Sequence, residues 1–258
     1  NSLSVEESDN SPSQSEPNFV NHSPYLDTNG FVSFLGKTHK SFTLLSTNIE
    51  SISSKIDDLN LFISDLTTKK LKLNTFIFQE CWLGPETDLS LLHLKGYHTI
   101  PHMRTCGRKG GLLIYLDEAF SFKEVTFPHT SDICEFQLIE ISGKQLHKKI
   151  IMVNIYRPPR QTHLIFLNDL KQIISKINRR KYDIILAGDI NINLLDVNLC
   201  ENTATLLDMM ITNSLYPCIT LPTRLTRTKG TLIDHIYCNI SNPSKGPSAG
   251  ILLRKFSD

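Results

Sequence analysis

The sequence predicts an α/β fold in which two β-sheets pack face to face and helices flank them. Short apolar runs typical of strands outnumber the segments with helical periodicity, and the two kinds alternate irregularly along the chain. This order is typical of a sandwich covered by helices, because each sheet must bury an apolar face against another layer. The 258 residues are enough for one large domain with a substantial core.

The composition divides the chain into a predicted disordered tail, residues 1–39, and a predicted domain, residues 40–258. The tail is rich in Ser, Asn, Glu and Pro and poor in branched aliphatic residues, so it buries too little surface to offset the entropy of ordering. The net charge of the whole chain is +1. This value argues against a basic field over the entire surface, and contacts with nucleic acid would have to come from local clusters.

From Phe42 onward, the patterns of apolar residues indicate strands and helices in turn. Helical segments place apolar residues three and four positions apart, and strand segments are short runs of aliphatic and aromatic residues. The predicted strands are 42–47, 75–79, 111–116, 120–126, 135–141, 149–154, 183–187, 233–238 and 250–256. The predicted helices are 52–66, with a Ser-rich first turn that suits a helix start, 164–177 and 204–215.

The six cysteines indicate free thiols in a reducing compartment. None stands in a Cys-x-x-Cys pair, which argues against a zinc site. The first residues do not resemble a signal peptide, and no apolar run approaches the roughly 20 residues that a membrane helix needs. We therefore expect an intracellular protein, nuclear or cytoplasmic and not secreted, without a membrane partner.

Acids, amides and a phenol follow several of the predicted strands, in a pattern that suits a metal-dependent phosphodiesterase. Carboxylates bind hard cations and activate water, while amides and phenols donate hydrogen bonds to phosphate. The residues in this pattern are Asn48, Glu80, Tyr156, Asp189, Asn191 and Asp234.

Each of these residues also has a simpler interpretation from the sequence alone. Glu80 could pair with a nearby Lys or Arg instead of a metal ion, since a buried carboxylate needs some partner. Tyr156 precedes Arg-Pro-Pro, which also fits a polyproline turn. Asp189 and Asn191 could form an Asx turn; if the chain stays extended instead, both side chains point to the same side.

The neighbouring residues Asp234 and His235 suggest a catalytic dyad, but strand geometry argues against it. Adjacent side chains on a strand point to opposite faces of the sheet. The two residues therefore cannot pair side by side, and we predict a structural role for His235.

The motifs resemble, in their order, those of the endonuclease/exonuclease/phosphatase superfamily, and most closely the apurinic-endonuclease-like domain of non-LTR (LINE-type) retrotransposons. The matching segments are Ser46-Thr47-Asn48-Ile49, Phe78-Gln79-Glu80-Cys81-Trp82-Leu83, residues 109–115, Tyr156-Arg157-Pro158-Pro159, Gly188-Asp189-Ile190-Asn191 and Ile233-Asp234-His235-Ile236. The resemblance implies a four-layer α/β sandwich, with two mostly antiparallel β-sheets packed face to face and flanked by helices. It also implies an active site at one edge, where strand ends and loops meet.

The resemblance further implies a divalent metal, Mg²⁺ or alternatively Mn²⁺, and residues that hold it. Glu80 matches the main metal-binding carboxylate, and Asn48 matches the amide beside the metal. Asp189 matches the residue that orients and deprotonates the attacking water. Asn191 then binds the phosphate and helps to place that water.

The remaining site residues implied by the resemblance are Tyr156, Asp234 and Asp258. Tyr156 matches a phenol that contacts the scissile phosphate, and Asp234 matches the acid that orients a catalytic histidine. The family ends its site with Ser-Asp-His, whereas this chain ends Phe-Ser-Asp, so that Asp258 matches the acid close to the metal and phosphate. The expected histidine is missing, and we interpret the chain as a fragment with impaired activity.

The implied reaction is hydrolysis of one phosphodiester bond in duplex DNA, leaving a 3′-hydroxyl. In the family this hydroxyl primes a reverse transcriptase domain on the same full-length polypeptide. The candidate DNA contacts are Arg104, Arg108, Arg157, Arg224, Arg227 and Lys229. The last three lie in a segment whose composition suits a hairpin, although any basic cluster is alternatively a solvated loop.

Two alternative functions remain open from the sequence. One is a superfamily phosphatase that acts on inositol phosphate or lipid substrates. The other is an inactive relic with at most weak DNA binding. The basic hairpin that precedes Asp234 favours a nucleic-acid substrate over the first alternative.

Overall fold

The computed structural model describes residues 23–38, 41–104, 109–127, 134–239 and 247–253. The strands are β1 (Tyr25–Leu26), β2 (Leu44–Asn48), β3 (Thr75–Gln79), β4 (Tyr97–His102), β5 (Leu112–Asp117), β6 (Ser121–Glu124), β7 (Glu135–Ser142), β8 (Lys149–Tyr156), β9 (Tyr182–Asp189), β10 (Tyr216–Pro217), β11 (Arg224–Leu225), β12 (Gly230–Thr231), β13 (Asp234–Cys238) and β14 (Ile251–Leu252). The helices are α1 (Thr28–Lys37), α2 (Ile56–Thr68), α3 (His163–Lys176) and α4 (Glu201–Thr212).

The strands form two main sheets. One has the order β2-β3-β5-β4, and the other has the order β10-β13-β9-β8-β7-β6. In each sheet one neighbouring pair runs parallel, β2 with β3 and β8 with β9, and the other pairs run antiparallel. Two short pairs lie apart from these sheets: β1 with β14, and β11 with β12.

The core has three parts, which make the fold a four-layer sandwich. Alternation along β3 sends Phe76 and Phe78 outward into a cluster with α1 and α2, and sends Ile77 inward between the sheets. Ile77 meets residues of the six-stranded sheet there, including Met152 of β8. The outer face of that sheet packs against α3 and α4, for example through Phe166. The predicted arrangement of two mostly antiparallel sheets between helical layers is confirmed.

A chain of buried amides joins the two sheets next to their polar ends. The Gln79 side chain donates to Asn154 Oδ1 at 2.8 Å, and the Asn154 amide donates in turn to the backbone carbonyl of Phe78 at 3.1 Å. These residues lie beside Glu80 and Tyr156 in the sequence. Buried polar groups are stable only when hydrogen-bonded, so the amide chain fixes the spacing of the sheets at this edge.

The prediction of disorder was wrong for part of the tail. Residues 25–26 form β1, which pairs with β14, and α1 follows directly. Asp27 caps α1 by accepting a hydrogen bond from Gly30 N at 2.7 Å. Phe31 and Leu35 bury one face of α1 against the four-stranded sheet and α2. Only Phe31 and Leu35 of α1 are buried, so the short amphipathic signal is lost when the polar composition of the tail is considered as a whole.

Other predicted boundaries shifted modestly. The predicted helix 52–66 begins as a 3₁₀ turn at Ile52–Ser54 and becomes α2 at Ile56. The predicted strand 250–256 corresponds to β14 at Ile251–Leu252, and residues 254–256 lie outside the described part of the chain. The sequence did not predict β4, whose residues mix polar and apolar types and include Pro101. This proline suits an edge strand, and β4 lies at the edge of its sheet.

Gly188 provides a test of how tightly β8 and β9 approach beside the polar edge. Its φ is +149°, and a Cβ there would lie 1.9 Å from the Ile155 carbonyl oxygen of β8. We expect Gly188→Ala to lower the free energy of unfolding by about 3 kcal/mol or more, because backbone strain adds to a clash with backbone. Urea denaturation measures this change.

The matched control is Gly84→Ala, since an added Cβ at Gly84 meets nothing within 4 Å. We expect this control to change the free energy of unfolding by no more than about 0.5 kcal/mol. Equal effects of the two substitutions would contradict the close approach of the strands at Gly188.

Candidate active site

The predicted site residues come together where strands of both sheets end. The parallel pairs β2–β3 and β8–β9 bring their carboxyl ends to one edge of the sandwich. The antiparallel strand β13 begins at the same edge, where Asp234 pairs in register with Asp189. The five residues assembled in this way are Asn48, Glu80, Tyr156, Asp189 and Asp234.

The Asn48 side chain connects the acids of the two sheets. Its amide nitrogen donates to Glu80 Oε1 at 2.7 Å and to Asp189 Oδ2 at 3.0 Å. Asn48 ends β2 and Asp189 ends β9, so this one nitrogen joins the four-stranded and six-stranded sheets. Both carboxylates accept from the same nitrogen, so their negative charges lie close together and can attract one cation.

Glu80 reaches the site through an unusual backbone. Its φ is +50°, and that of Trp82 is +56°. Five of the seven non-glycine residues with positive φ in the described chain adjoin the site: Glu50, Ser51, Glu80, Trp82 and Asn191. Each such conformation costs on the order of 1–3 kcal/mol and persists only where the surroundings hold it. Here Ser51 N donates to the Glu80 carbonyl at 2.9 Å.

Asp189 and Asn191 lie in an Asx turn and not in an extended segment. Asn191 has a φ of +52°, and its backbone nitrogen donates to Asp189 Oδ1 at 3.1 Å. The Asn191 side-chain amide donates to the Arg157 carbonyl at 2.9 Å. Of the two conformations that the sequence left open, the Asx turn is therefore the one observed, since the chain turns at Asn191. The turn still holds both residues at the site and leaves a second amide hydrogen on Asn191.

The carboxylates Asp189, which is buried, and Asp234, which is partly buried, form a mutually repelling pair. Burial, and then the negative charge of Asp234, raises the pKa of the Asp189 carboxyl. Burial also raises the pKa of Asp234, against the opposing hydrogen bond from Thr223. A raised pKa makes Asp189 a stronger base when it is ionised.

Tyr156 presents a protonated phenol to the same acids. The side chain is buried, and its hydroxyl lies close enough to Glu80 to be affected by that negative charge. Burial and then the negative charge of Glu80 raise the pKa of Tyr156 well above its usual range. The hydroxyl therefore stays protonated at neutral pH and can serve as a hydrogen-bond donor.

The donor set fits a hard divalent cation. In the described part of the chain, no three His, Cys, Asp or Glu side chains already converge as a metal cluster. Glu80 and Asp189 nevertheless offer carboxylate oxygens on either side of the Asn48 amide, and Mg²⁺ is held in proteins by one or two carboxylates with other oxygen ligands. Asp258, also predicted to contribute, lies outside the described residues.

A basic hairpin borders the site, as the sequence predicted. β11 pairs antiparallel with β12, and the Thr226 side chain closes the turn by hydrogen bonds to Lys229. Arg224, Arg227 and Lys229 are all exposed. The hairpin is attached to the site itself, because Asp234 N donates to Thr223 Oγ1 at 3.2 Å.

The prediction that Arg157 contacts DNA was wrong. Its side chain is only 1% exposed, and the guanidinium donates to the backbone carbonyls of Ile190, Gln161 and Asn191 at 2.5–2.8 Å. The planar, charged guanidinium carries several N–H donors, which suits it to bind these three carbonyls at once. Arg157 thus holds the Asx turn in place from inside the domain.

The other two candidate DNA contacts differ in what the structure describes. The Arg104 side chain is partly buried, with Nη1 lying 3.3 Å from Glu135 Oε1, and it also donates to the Lys109 carbonyl. Arg108 lies outside the described residues. The Arg104 charge is therefore largely engaged within the protein.

Sequence reasoning missed Glu135 and Trp82 as residues of this region. Glu135 is a buried acid at the start of β7, opposite Tyr156 in register. Trp82 is 41% exposed, and Lys109 Nζ lies 5.4 Å from the centre of its ring. Glu135 begins an apolar strand with no distinguishing spacing, and the Trp82 ring would ordinarily be assigned to the core.

His235 has the structural role that strand geometry predicted. It is buried, its Nε2 lies 2.8 Å from the Ile192 carbonyl, and its Nδ1 lies 3.1 Å from the Tyr237 hydroxyl. A carbonyl accepts, so Nε2 must carry the proton and Nδ1 accepts from Tyr237. None of these contacts involves Asp234.

Comparison with known proteins identifies the family. A model described as "Endonuclease/Exonuclease/phosphatase family" matches residues 45–258, and the chain belongs to this family. The family comprises nucleases and phosphatases, so the protein is a hydrolase by class. A search of curated proteins found no match. No helix of the described residues combines the length and apolarity needed to cross a bilayer.

Solved structures with this fold include proteins that are named as endonucleases. The endonuclease domain of TRAS1, a telomere-specific non-LTR retrotransposon, aligns with a TM-score of 0.56 and 14% identity over 76% of this chain and 84% of that one. The AP endonuclease LMAP from Leishmania major aligns at 0.58 and 13% identity, over 78% and 80%. The Xenopus laevis APE2 catalytic domain aligns at 0.58 and 14%, over 81% and 89%. At these identities the likeness establishes the shared fold.

The buried imidazole of His235 leads to a pH dependence of stability. Burial lowers the pKa of His235 to about 4, below the value near 6.5 of an unfolded chain. The unfolded state therefore binds more protons between these values, and His235 makes stability fall as pH falls. We expect this residue to contribute a loss of about 2 kcal/mol between pH 7 and pH 5.

Urea denaturation at both pH values, for the parent protein and for His235→Gln, measures this contribution. The raised pKa values of Asp189 and Asp234 act in the opposite direction, so the informative quantity is the difference between the two proteins. We expect that difference to shrink at pH 5. A difference that does not change with pH would show that His235 is not held neutral.

Proposed function

We propose that the chain is the endonuclease domain of a non-LTR retrotransposon, which hydrolyses one phosphodiester bond in duplex DNA and leaves a 3′-hydroxyl. The observation that carries this proposal is the joining of a carboxylate site to a basic hairpin. Thr223 accepts a hydrogen bond from Asp234 of the site, and the next residue, Arg224, begins the exposed hairpin. The segment from Thr223 to Asp234 thus carries both the cations proposed to bind phosphate and a carboxylate of the site.

The hairpin supports DNA as the substrate over a small phosphate ester. Its cations project from a turn braced by Thr226, and Arg and Lys side chains contact DNA phosphates or enter a narrow minor groove. An inositol phosphate would need a compact pocket of cations around the carboxylates. The exposed cations of the hairpin instead lie at the border of the site, and the buried Arg157 faces backbone carbonyls.

The metal in this proposal is Mg²⁺ or Mn²⁺, held by Glu80 with Asn48 beside it. When bound, the ion would neutralise charge on the phosphate or on the leaving oxygen. Asp189 would accept the proton of the attacking water, a role that its raised pKa favours. Tyr156 would donate its phenol hydrogen to a phosphate oxygen, and the second amide hydrogen of Asn191 would assist.

The retrotransposon assignment rests on the resemblance in motif order, supported by the fold that the chain shares with the TRAS1 endonuclease domain. The retrotransposon assignment also proposes a use for the product of cleavage. The 3′-hydroxyl would prime a reverse transcriptase domain on the same full-length polypeptide. The proposed setting is intracellular, in the nucleus or the cytoplasm.

The proposed reaction is tested by nicking of supercoiled plasmid, since a single cut relaxes the whole molecule. In a version extended by the expected histidine after Asp258, we expect Mg²⁺- or Mn²⁺-dependent nicking, which Asp189→Asn lowers by at least about a hundredfold because the general base is lost. Glu80→Gln should weaken Mn²⁺ binding measured by calorimetry, because binding of two-plus ions depends on carboxylate charge.

The matched control for the metal is Glu86→Gln, which removes an exposed carboxylate from the same loop and should leave Mn²⁺ binding unchanged. Nicking that survives Asp189→Asn would remove Asp189 from the mechanism. Release of phosphate from inositol phosphates without any nicking would favour a phosphatase, and DNA binding without hydrolysis of either substrate would favour an inactive relic.

DNA contact is tested separately by the double substitution Arg224→Ala, Arg227→Ala. We expect weaker binding to duplex DNA and a shallower dependence of affinity on salt, by about 0.9 in the log–log slope for each lost phosphate contact. Fluorescence anisotropy at several salt concentrations measures both quantities.

The matched control removes two equally exposed arginines, Arg179 and Arg180, which precede the opposite end of β9. Both pairs change the net charge equally, so a general electrostatic effect would appear in both proteins. We expect the Arg179 and Arg180 substitutions to leave the slope nearly unchanged. Equal effects of the two pairs, or no effect of either, would contradict a specific role for the hairpin.

A further inference from the structure

Glu135 is a buried acid to which neither the motifs nor the proposed mechanism assigns a role. It is 6% exposed at the start of β7. Its Oε2 accepts a hydrogen bond from Gly111 N at 2.5 Å, and its Oε1 lies 3.3 Å from Arg104 Nη1. The carboxylate therefore joins a glycine pair to a cation beneath the surface of the site.

The glycine pair, Gly110 and Gly111, is bonded in turn to the segment that carries Glu80. The Gly111 carbonyl accepts from Cys81 N at 3.0 Å, and the Gly110 carbonyl accepts from Trp82 N at 2.6 Å. Both donors directly follow Glu80 in the chain. A short path of hydrogen bonds thus runs from Glu135 through the glycines to the residues next to the metal-binding acid.

This path ends on strained backbone, which needs such support. Glu80 and Trp82 both have left-handed φ values, +50° and +56°. Non-glycine residues keep this conformation only where the surrounding structure holds them in it. The two glycine carbonyls hold the segment from one side, and Ser51 N, which donates to the Glu80 carbonyl, holds it from the other.

The space around Gly110 and Gly111 has little room for a side chain at either position. A Cβ built on Gly110 would lie 2.3 Å from Glu135 Oε1, and a Cβ on Gly111 would lie 2.9 Å from Leu83 N. Both glycines also have positive φ values, +132° and +81°. The carboxylate must accept from Gly111 and face Arg104 at once. An amide in its place would turn a donor toward either Gly111 or Arg104.

We propose that Glu135 is a positioning residue, which fixes the Gly110–Gly111 pair and through it the backbone that presents Glu80 to the metal. This role rests on the proposed function, because it assigns Glu80 to the metal. Groups that orient a metal ligand commonly change metal affinity by about 10–100-fold when they are removed. Glu135 touches neither metal nor substrate in this proposal and acts only through the segment that follows Glu80.

Asp117 provides a matched control at the opposite end of the same strand. Gly111 immediately precedes β5, and Asp117 ends it. Asp117 is likewise a buried acid, which accepts from Ala119 N at 2.9 Å and lies 2.7 Å from Lys72 Nζ. Glu135→Gln and Asp117→Asn therefore each neutralise one buried, paired carboxylate, and only the first is linked to Glu80.

Trp82 is the single tryptophan of the chain and reports on the segment directly. We expect Glu135→Gln to shift Trp82 emission and its quenching by acrylamide in the metal-free protein, and to weaken Mn²⁺ binding by at least about tenfold. We expect Asp117→Asn to leave both unchanged, although its melting temperature falls to a similar degree. Glu135→Asp, which keeps the charge but shortens the reach, should reproduce the Trp82 shift if the glutamine variant does not fold.

The two proposals fail in different ways. If the parent protein binds no Mn²⁺, the proposed function is overturned. If the Trp82 signal of Glu135→Gln or Glu135→Asp matches the parent, or if Asp117→Asn weakens Mn²⁺ binding as much as Glu135→Gln does, the positioning role of Glu135 is overturned. A Trp82 shift and tenfold weaker Mn²⁺ binding, both confined to the Glu135 variants, would establish the role.

Discussion

The contact on which the site depends is the pair of hydrogen bonds from one amide nitrogen of Asn48. Those bonds join Glu80 of one sheet edge to Asp189 of the other. Carboxylates brought together away from water repel one another and lose hydration, so a donor between them lowers the cost of bringing the two sheets together there. The buried amides of Gln79 and Asn154 fix the spacing beside it. The hydrogen bonds that join the sheets at this edge thus also position the residues of the site.

Much of the fold could be predicted from the sequence because its strands bury nearly continuous apolar runs. β3, β8 and β9 were recognised in this way, and the layers followed from their alternation with helices. β4 was missed because its residues mix polar and apolar types at a sheet edge. The helix α1 was missed because two buried residues, Phe31 and Leu35, are too weak a signal within a polar segment.

Prediction from the sequence could group polar residues where a residue type has few alternative uses at a strand end, and the roles of these residues in the site stay predictions. Acids and amides at Asn48, Glu80 and Asp189 do lie together. It failed for Arg157, because a sequence shows charge but does not show whether a guanidinium faces solvent or backbone carbonyls. Glu135 was overlooked for the opposite reason, since its partners are backbone groups of distant glycines. Contacts to backbone leave little trace in the sequence.

The left-handed backbone of Glu80 and Asn191 has a consequence for how such a domain can evolve. Residues with a side chain are strained there, whereas glycine would relax at a gain of order 1 kcal/mol or more. Removing either side chain would relieve that strain but would also remove the hydrogen bond that Glu80 accepts from Asn48 or the one that Asn191 donates to the Arg157 carbonyl. Backbone strain at these two positions and the contacts that assemble the site are therefore lost or kept together, which ties the conformation of the chain to its chemistry.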